Sequence, residues 1–183
     1  MKSALTFNQF IKDNPFKKKM LIVPNYTVGE QYIRQANDQG IPCINLECKT
    51  IYDLASGICQ VQTALDGEVL KLINQDVATN LMMDIMQDQL QQLRYFVNPE
   101  WIDIPTASEL IHQIDEIRIM DAQDVLKTKA DSPKLIDLMM ILEAYENRLK
   151  QDSLVDYVSL LKIAINLVNN EAGFKNSKFG IFA

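Results

Sequence analysis

The sequence predicts an α/β protein that is predominantly helical overall: a small parallel sheet with flanking helices, joined to a mostly α-helical insert. Residues 20–49 alternate a short apolar run, a helical pattern and a second apolar run with short connections, as a parallel strand–helix–strand unit does. From about Gly67 the apolar residues recur at spacings of three and four, the period of amphipathic helices. Of the 183 residues 48% are hydrophobic and 23% charged, which is globular rather than disordered composition.

Each element follows from local chemistry. "ALTFNQFIKDN" sets Leu5, Phe7, Phe10 and Ile11 at helical spacing, and Asn14-Pro15 ends the helix because a residue before proline avoids the helical region. Met20–Val23 is too short for a helix and reads as a buried strand closed by Pro24. Val28–Gln39 predicts a helix capped by Gly40; "IPCINLECKT" predicts a second strand and "IYDLASGICQV" a short helix. In the insert, Ile73, Val77, Leu81, Ile85, Met86, Leu90, Leu93 and Val97 form one stripe that "NPEWIDIPT" interrupts. Thr106–Glu109 fits a capping box ahead of Leu110, Ile114 and Ile117. Ser132-Pro133 opens a helix with Leu135, Leu138, Met139, Leu142, Tyr145 and Leu149 inward. Ser153–Asp156 forms a further box, followed by Leu154, Val158, Leu161, Ile165 and Val168. Four such helices bury their stripes by forming a bundle. The closing "NSKFGIFA" reads as an incipient strand through Phe179, Ile181 and Phe182, so a piece of a longer protein is expected.

Composition bounds the function. No apolar stretch approaches the roughly 18 residues of a membrane span, and the N-terminus lacks a secretion signal, so a cytoplasmic protein with no membrane partner is expected. Cys43, Cys48 and Cys59 include no C-x-x-C pair and read as reduced, partly buried thiols rather than metal ligands. Net charge is −6, with a pI near 4.8. Free-standing nucleic-acid modules are usually basic, so any nucleic-acid contact must be local or shared with a partner.

Several residue groups invite chemistry. Glu47 and Lys49 stand two apart on a strand, as in metal-dependent nucleases of the PD-(D/E)xK type, but the upstream carboxylate such sites require is replaced by Asn25. Lys2-Ser3 resembles the tail of a phosphate-binding loop without its glycines or preceding strand. His112, the only histidine, falls opposite the Leu110/Ile114 stripe and reads as solvated. Asp84 and Asp88 share a wetted face with Gln91 and Gln92, and Met82, Met83, Met86, Met139 and Met140 read as core filler. Lys17–Lys19, Tyr26 and Arg34 surround a strand-to-helix turn. Two readings stay open: a phosphate and base contact, or a solvated lead-in with a locally packed tyrosine.

The order of segments carries a family resemblance. "MLIVPNYTVGEQYIRQA", "INLECKTIYDLA", a helical insert, "LIDLMMILEAYENRLKQDSLVDYVSLLKIAINL" and "KFGIFA" together resemble the start of the AddB-type subunit of bacterial helicase–nuclease complexes, and more broadly the first motor domain of superfamily I, UvrD-like helicases. Val23, Pro24, Tyr26 and Thr27 match that family's single-strand contact, motif Ia; Thr50, Leu54 and Ala55 match a second DNA-facing segment. Tyr145, Leu149, Leu154, Asp156, Tyr157 and Leu160 match the helix pattern before the Walker B strand. The resemblance implies a partial helicase-like domain over 1–65 and 152–183, with 66–151 as the helical insert. It implies single-stranded DNA and a helicase-type subunit as partners, in double-strand-break repair and recombination. Pro24, Asn25, Tyr26, Thr27 and Thr50 would then be the DNA contacts. ATP and magnesium belong to complete motor domains; with the phosphate loop missing and the chain stopping where Walker B begins, no cofactor and no catalytic residue is expected here. The family's distant nuclease domain and iron–sulfur cysteines are likewise not among these residues. The alternatives are a helical protein-interaction module without a nucleic-acid role and, third, the nuclease built on Glu47 and Lys49.

Overall fold

The computed structural model describes residues 7–12, 16–66, 69–128 and 131–170. Lys2-Ser3, Leu5, Asn14-Pro15, Gly67 and the strand expected at Phe179, Ile181 and Phe182 lie outside them. The described elements are α1 (Phe7–Lys12), β1 (Lys19–Ile22), α2 (Tyr26–Asp38), β2 (Leu46–Lys49), α3 (Ile51–Asp66), β3 (Lys71–Leu72), α4 (Gln75–Gln89), α5 (Ile104–Ile119), α6 (Gln123–Thr128), α7 (Pro133–Gln151), β4 (Leu154–Val155) and α8 (Tyr157–Asn170). A 3₁₀ turn at Pro99–Trp101 precedes α5. The fold is thus mostly helical, with a small parallel sheet. Two compact units divide within α3 and α8: Met1–Gln62 with Ile163–Ala183, and Thr63–Lys162.

In the first unit β1 and β2 pair in parallel, with Lys19 opposite Leu46, Met20 opposite Glu47, Leu21 opposite Cys48 and Ile22 opposite Lys49. Parallel partners share a face, so Leu21, Cys48 and Lys19 point one way while Glu47 and Lys49 point the other. Alpha-helix α2 packs on the first face. A Cβ on its Gly29 would come within 3.0 Å of the Cys48 Sγ and 3.4 Å of Val23 Cγ2, so only glycine fits this approach without displacement. Ile11, Ala36 and Ile41 form a small core at the other end of α2, joined by Phe7, Phe10, Cys43 and Leu46.

The second strand is shorter than the sequence suggests. Pro42 has no N–H to give a ladder, and Asn45 takes a left-handed turn at φ 58°, so pairing begins only at Leu46. Gly40, at φ 71°, ends α2 as expected, because that backbone conformation suits glycine.

In the second unit α4, α5 and α7 enclose the main core, built from Met82, Met86, Ile111, Ile114, Ile141 and Leu142 among others. The methionines Met82, Met86 and Met139 are indeed core, and His112 is exposed. Three boundaries differ from the sequence reading, each because an Asx cap lies upstream or downstream of the expected one. Within the long stripe, residues 69–97 hold a short strand, β3, then α4, whose Asn74 cap accepts from Val77 N–H at 3.0 Å, and irregular backbone from Leu90 onward. Val77 and Val97 are consequently exposed. Helix α5 is capped by Asp103, which accepts from Thr106 N–H at 2.8 Å, so Thr106 is not the start of a capping box. Asp156, not Ser153, caps α8 by accepting from Ser159 N–H at 2.8 Å. Leu154 and Val155 form β4, parallel to β3. The inward residues of α8 are therefore Val158, Leu160 and Ala164, and Ile165 is exposed.

Two buried polar groups organise this unit. The Asp137 carboxylate, with no solvent exposure, accepts from three successive backbone N–H groups, those of Arg94 (2.8 Å), Tyr95 (2.6 Å) and Phe96 (3.1 Å). Arg118, also buried, donates to both Asp156 oxygens and, at 2.9 Å, to Ser159 Oγ; Tyr145 OH donates to Asp156 at 3.1 Å. Burial alone pushes the Asp156 carboxyl up, but the guanidinium's hydrogen bond and charge hold it below the ordinary range.

Candidate nucleic-acid interface

Beta-strands β1 and β2 run parallel, so the helices that follow them start side by side at the carboxyl ends of the strands. A parallel sheet generally presents its ligand site there. Pro24 leaves the sheet after Val23, whose N–H makes the last ladder bond to Lys49 O at 2.9 Å. Asn25 is extended, at φ −155°, and its side chain accepts from Val28 N–H, so α2 starts at Tyr26. Tyr26 and Thr27, expected in a turn, are thus the first two residues of that helix, where backbone N–H groups lack intrahelical partners.

Thr50 begins α3 in the same way. Its Oγ1 accepts from Asp53 N–H at 3.1 Å while its own N–H donates to Asp53 Oδ2 at 2.8 Å, a reciprocal capping box. The same carboxylate oxygen accepts from Thr50 Oγ1 and, at 2.7 Å, from Tyr26 OH. Asp53 therefore ties Tyr26 on one helix to Thr50 on the next. Its carboxyl is held below the ordinary range, first by the Thr50 hydroxyl and then by Tyr26 and the Thr50 N–H. The Tyr26 hydroxyl is pushed up, chiefly by donating to Asp53, and stays protonated. The ring remains 54% exposed while its tip is fixed, so a flat aromatic surface stands open at the paired helix starts. Pro24 and Thr27 are exposed beside it.

The lysine run does not join this group. Lys17–Lys19 enter β1 at its amino end, about 13 Å of strand away from the turn. Lys18 Nζ instead lies 3.0 Å from Glu47, and Lys19 is buried. The cation at the correct end is Lys49, on the last residue of β2, 3.2 Å from Glu47 and close enough to lower the Asp53 carboxyl. Glu47 is held low by Lys18 and then Lys49, so both lysines of the nuclease-like pattern's neighbourhood serve to neutralise it. Asn25, at the position such a nuclease needs a carboxylate, is engaged as a cap.

Asp53 is the site residue that sequence reasoning passed over, and Lys49 was read only as half of the nuclease-like pair, not as part of this turn. The spacing Thr50-x-x-Asp53 was the available signal for the first, being that of a capping box. Strand polarity was the signal for the second. In the other unit, Tyr145 and Asp156, two positions of the helicase-like pattern, meet Arg118 inside the protein rather than at a surface. Among the described residues no group of three or more His, Cys, Asp or Glu is arranged to hold a metal ion, and no helix is long and apolar enough to cross a membrane. The three cysteines are free thiols, and burial raises each above its ordinary value.

No protein-family model matches the chain, and no curated protein matches it.

Charge is divided between the units. Residues 1–62 and 163–183 carry nine Lys and Arg against six Asp and Glu, net +3; residues 63–162 carry nine against eighteen, net −9; together these give −6. The candidate interface lies on the basic unit.

Proposed function

We propose that this chain is a non-catalytic N-terminal region of an AddB-type helicase–nuclease subunit acting in double-strand-break repair and recombination. Its contribution is a surface that guides single-stranded DNA and a docking surface for a helicase-type partner subunit. The observation that carries the DNA half is Tyr26, held by Asp53 with its ring open between two helix N-termini. The start of α2 favours an anion there, and a ring whose hydroxyl is already held stacks a base with little further loss of side-chain freedom. The segment order described above supports the family.

Fluorescence anisotropy with labelled oligo-dT tests this at low and moderate salt. Tyr26→Ala weakens binding about 5- to 150-fold, the usual range for one base-stacking ring. Tyr26→Phe keeps most of the affinity, since the ring is retained. Failure to bind at low salt, or equal affinity of Tyr26→Ala, refutes the DNA half.

A second reading, a protein-interaction module, is favoured by the net −9 of the helical unit. Like-charge repulsion turns that unit away from phosphate and towards basic protein surfaces. It becomes the leading reading if oligo-dT fails to bind.

A further inference from the structure

The connection from α4 to α5 exposes aromatic side chains on a backbone that the protein holds rigidly. Asp137 fixes residues 94–96 from beneath, through the three N–H bonds already described. Tyr95 and Trp101 nevertheless stay open to solvent, their ring centroids 6.1 Å apart with planes inclined at 45°. Phe96 meets Tyr95 edge-on at 4.9 Å and is buried beneath. These rings, with Pro105, Glu109 and Lys134, line a groove of about 440 Å³. Lys134 Nζ stands 5.9 Å from the Tyr95 centroid, bracing that ring, and Glu109 accepts from Gln113 at 2.9 Å. Exposed aromatics at a fixed spacing resist explanation as core, because they bury little.

The shape selects the occupant. All the lining residues belong to helices or their connections, so no strand edge is present for an added strand to pair with. A volume of this size takes two or three side chains and is too short for the face of a docked helix. Inclined aromatic faces flanked by a proline suit an extended polyproline II segment, whose rings slot between them and whose stiffness keeps the entropy loss small. Single-stranded nucleic acid also stacks on such rings, but it needs a basic channel, and this groove is lined by one acid, Glu109, and one base, Lys134, on a unit of net charge −9. The net charge of the unit favours a basic segment, and with Lys134 set against the Tyr95 ring Glu109 is the carboxylate in the lining for its cation to reach.

We propose that this groove docks a proline-containing segment of a partner protein, in polyproline II conformation, with an arginine or lysine beside the prolines reaching Glu109. The proposal rests on the partner-docking half of the function above and is independent of the DNA half.

Trp101 is the only tryptophan in the chain, so its fluorescence reports the groove directly. The full chain is titrated with a synthetic peptide, Arg-Pro-Leu-Pro-Pro-Leu-Pro, with the same peptide carrying Glu for Arg, with a version carrying Gly and Ser for every Pro, and with oligo-dT. The arginine peptide shifts the emission to shorter wavelength and saturates, while the Glu peptide binds at least about tenfold more weakly. Tyr95→Ala lowers affinity at least about tenfold, and Glu109→Gln narrows the Arg-over-Glu preference to below about threefold. Circular dichroism checks the fold of each variant, and if Tyr95→Ala unfolds the exposed Glu109→Gln variant decides. No saturable response to the arginine peptide, an equal response to the Gly/Ser peptide, or a Trp101 response to oligo-dT in place of the peptide overturns the proposal. Tyr26→Ala leaves the peptide response unchanged, which separates this result from that of the DNA assay.

Discussion

Asp115 and Asp137 are two carboxylates in one unit with different hydrogen-bond partners. Asp137 exchanges all its water for three backbone N–H donors, and removing it strands those donors beneath Tyr95 and Phe96. Each unsatisfied buried donor costs about 1–3 kcal/mol, so Asp137→Ala lowers unfolding free energy by at least about 3 kcal/mol in urea titrations. An unchanged urea midpoint contradicts the role given to this carboxylate. Asp115 is raised to about 6 by burial and by the nearby Asp156 charge, against the pull of Arg118. A carboxyl raised in the folded state contributes stability below its unfolded value of 3.8, and that contribution is lost as pH rises through about 6. Asp115→Asn, which keeps the acceptor but never ionises, therefore gains about 1–3 kcal/mol on wild type between pH 4 and pH 8. Paired denaturation curves at the two pH values measure it; a gap that shrinks with rising pH refutes the assignment. Neither Asp137 nor Arg118 drew attention in the sequence, since their partners are about 40 positions away. Position alone did hold a signal. Arg118 is four residues past Ile114 and next to Ile117, inside the buried stripe of α5, and a charged residue on such a stripe needs an internal partner.

Elements were legible wherever a cap and a stripe agreed. Ser132-Pro133 opened α7 as read, with Ser132 accepting from Leu135 N–H at 3.3 Å, and six apolar positions then followed one face. Elements failed where they were too short to show a period. Beta-strands β3 and β4 have two residues each, and Ile73 fits a helical stripe as well as a strand end, so the apolar pattern ran through them. The candidate interface was legible as a turn between strand and helix; the bond from Tyr26 to Asp53 was not, because it joins separate helices 27 positions apart. Helix packing gives a paired test. Gly29 in α2 has no room for a Cβ, whereas Gly57 in α3 has nothing within 4 Å of one. Gly57→Ala stabilises the protein by about 0.5–1 kcal/mol through helix propensity and a less flexible unfolded chain. Gly29→Ala has the same intrinsic gain but presses α2 against Cys48, and loses about 1 kcal/mol net, the overpacking cost being about 1–3 kcal/mol. Thermal melts of the two variants that move in the same direction contradict the close helix–sheet approach.

At the scale of the molecule, the two units carry opposite net charge, and the two proposed binding surfaces fall on different units. The basic unit carries the open tyrosine, and the acidic one carries the aromatic groove. That Lys17–Lys19 enter β1 at its amino end was readable from their order in the sequence, but the pairing of Lys18 with Glu47 on the other strand was not. The second unit has another property of this scale. Its parallel ladder joins Lys71–Leu72 near its start to Leu154–Val155 near its end, with Ile73 N–H completing it to Val155 O at 3.0 Å. Closing a loop of about 80 residues costs roughly 4 kcal/mol in chain entropy, more than so short a ladder returns. The ladder therefore forms only after α4, α5 and α7 have packed, and its amides are the first to open. Hydrogen exchange at Ile73 runs faster than at Ile114 or Ile141 by orders of magnitude; equal protection contradicts this order. During synthesis the same geometry acts as a clock: the start of this unit waits, unpaired, until the ribosome has released residue 155.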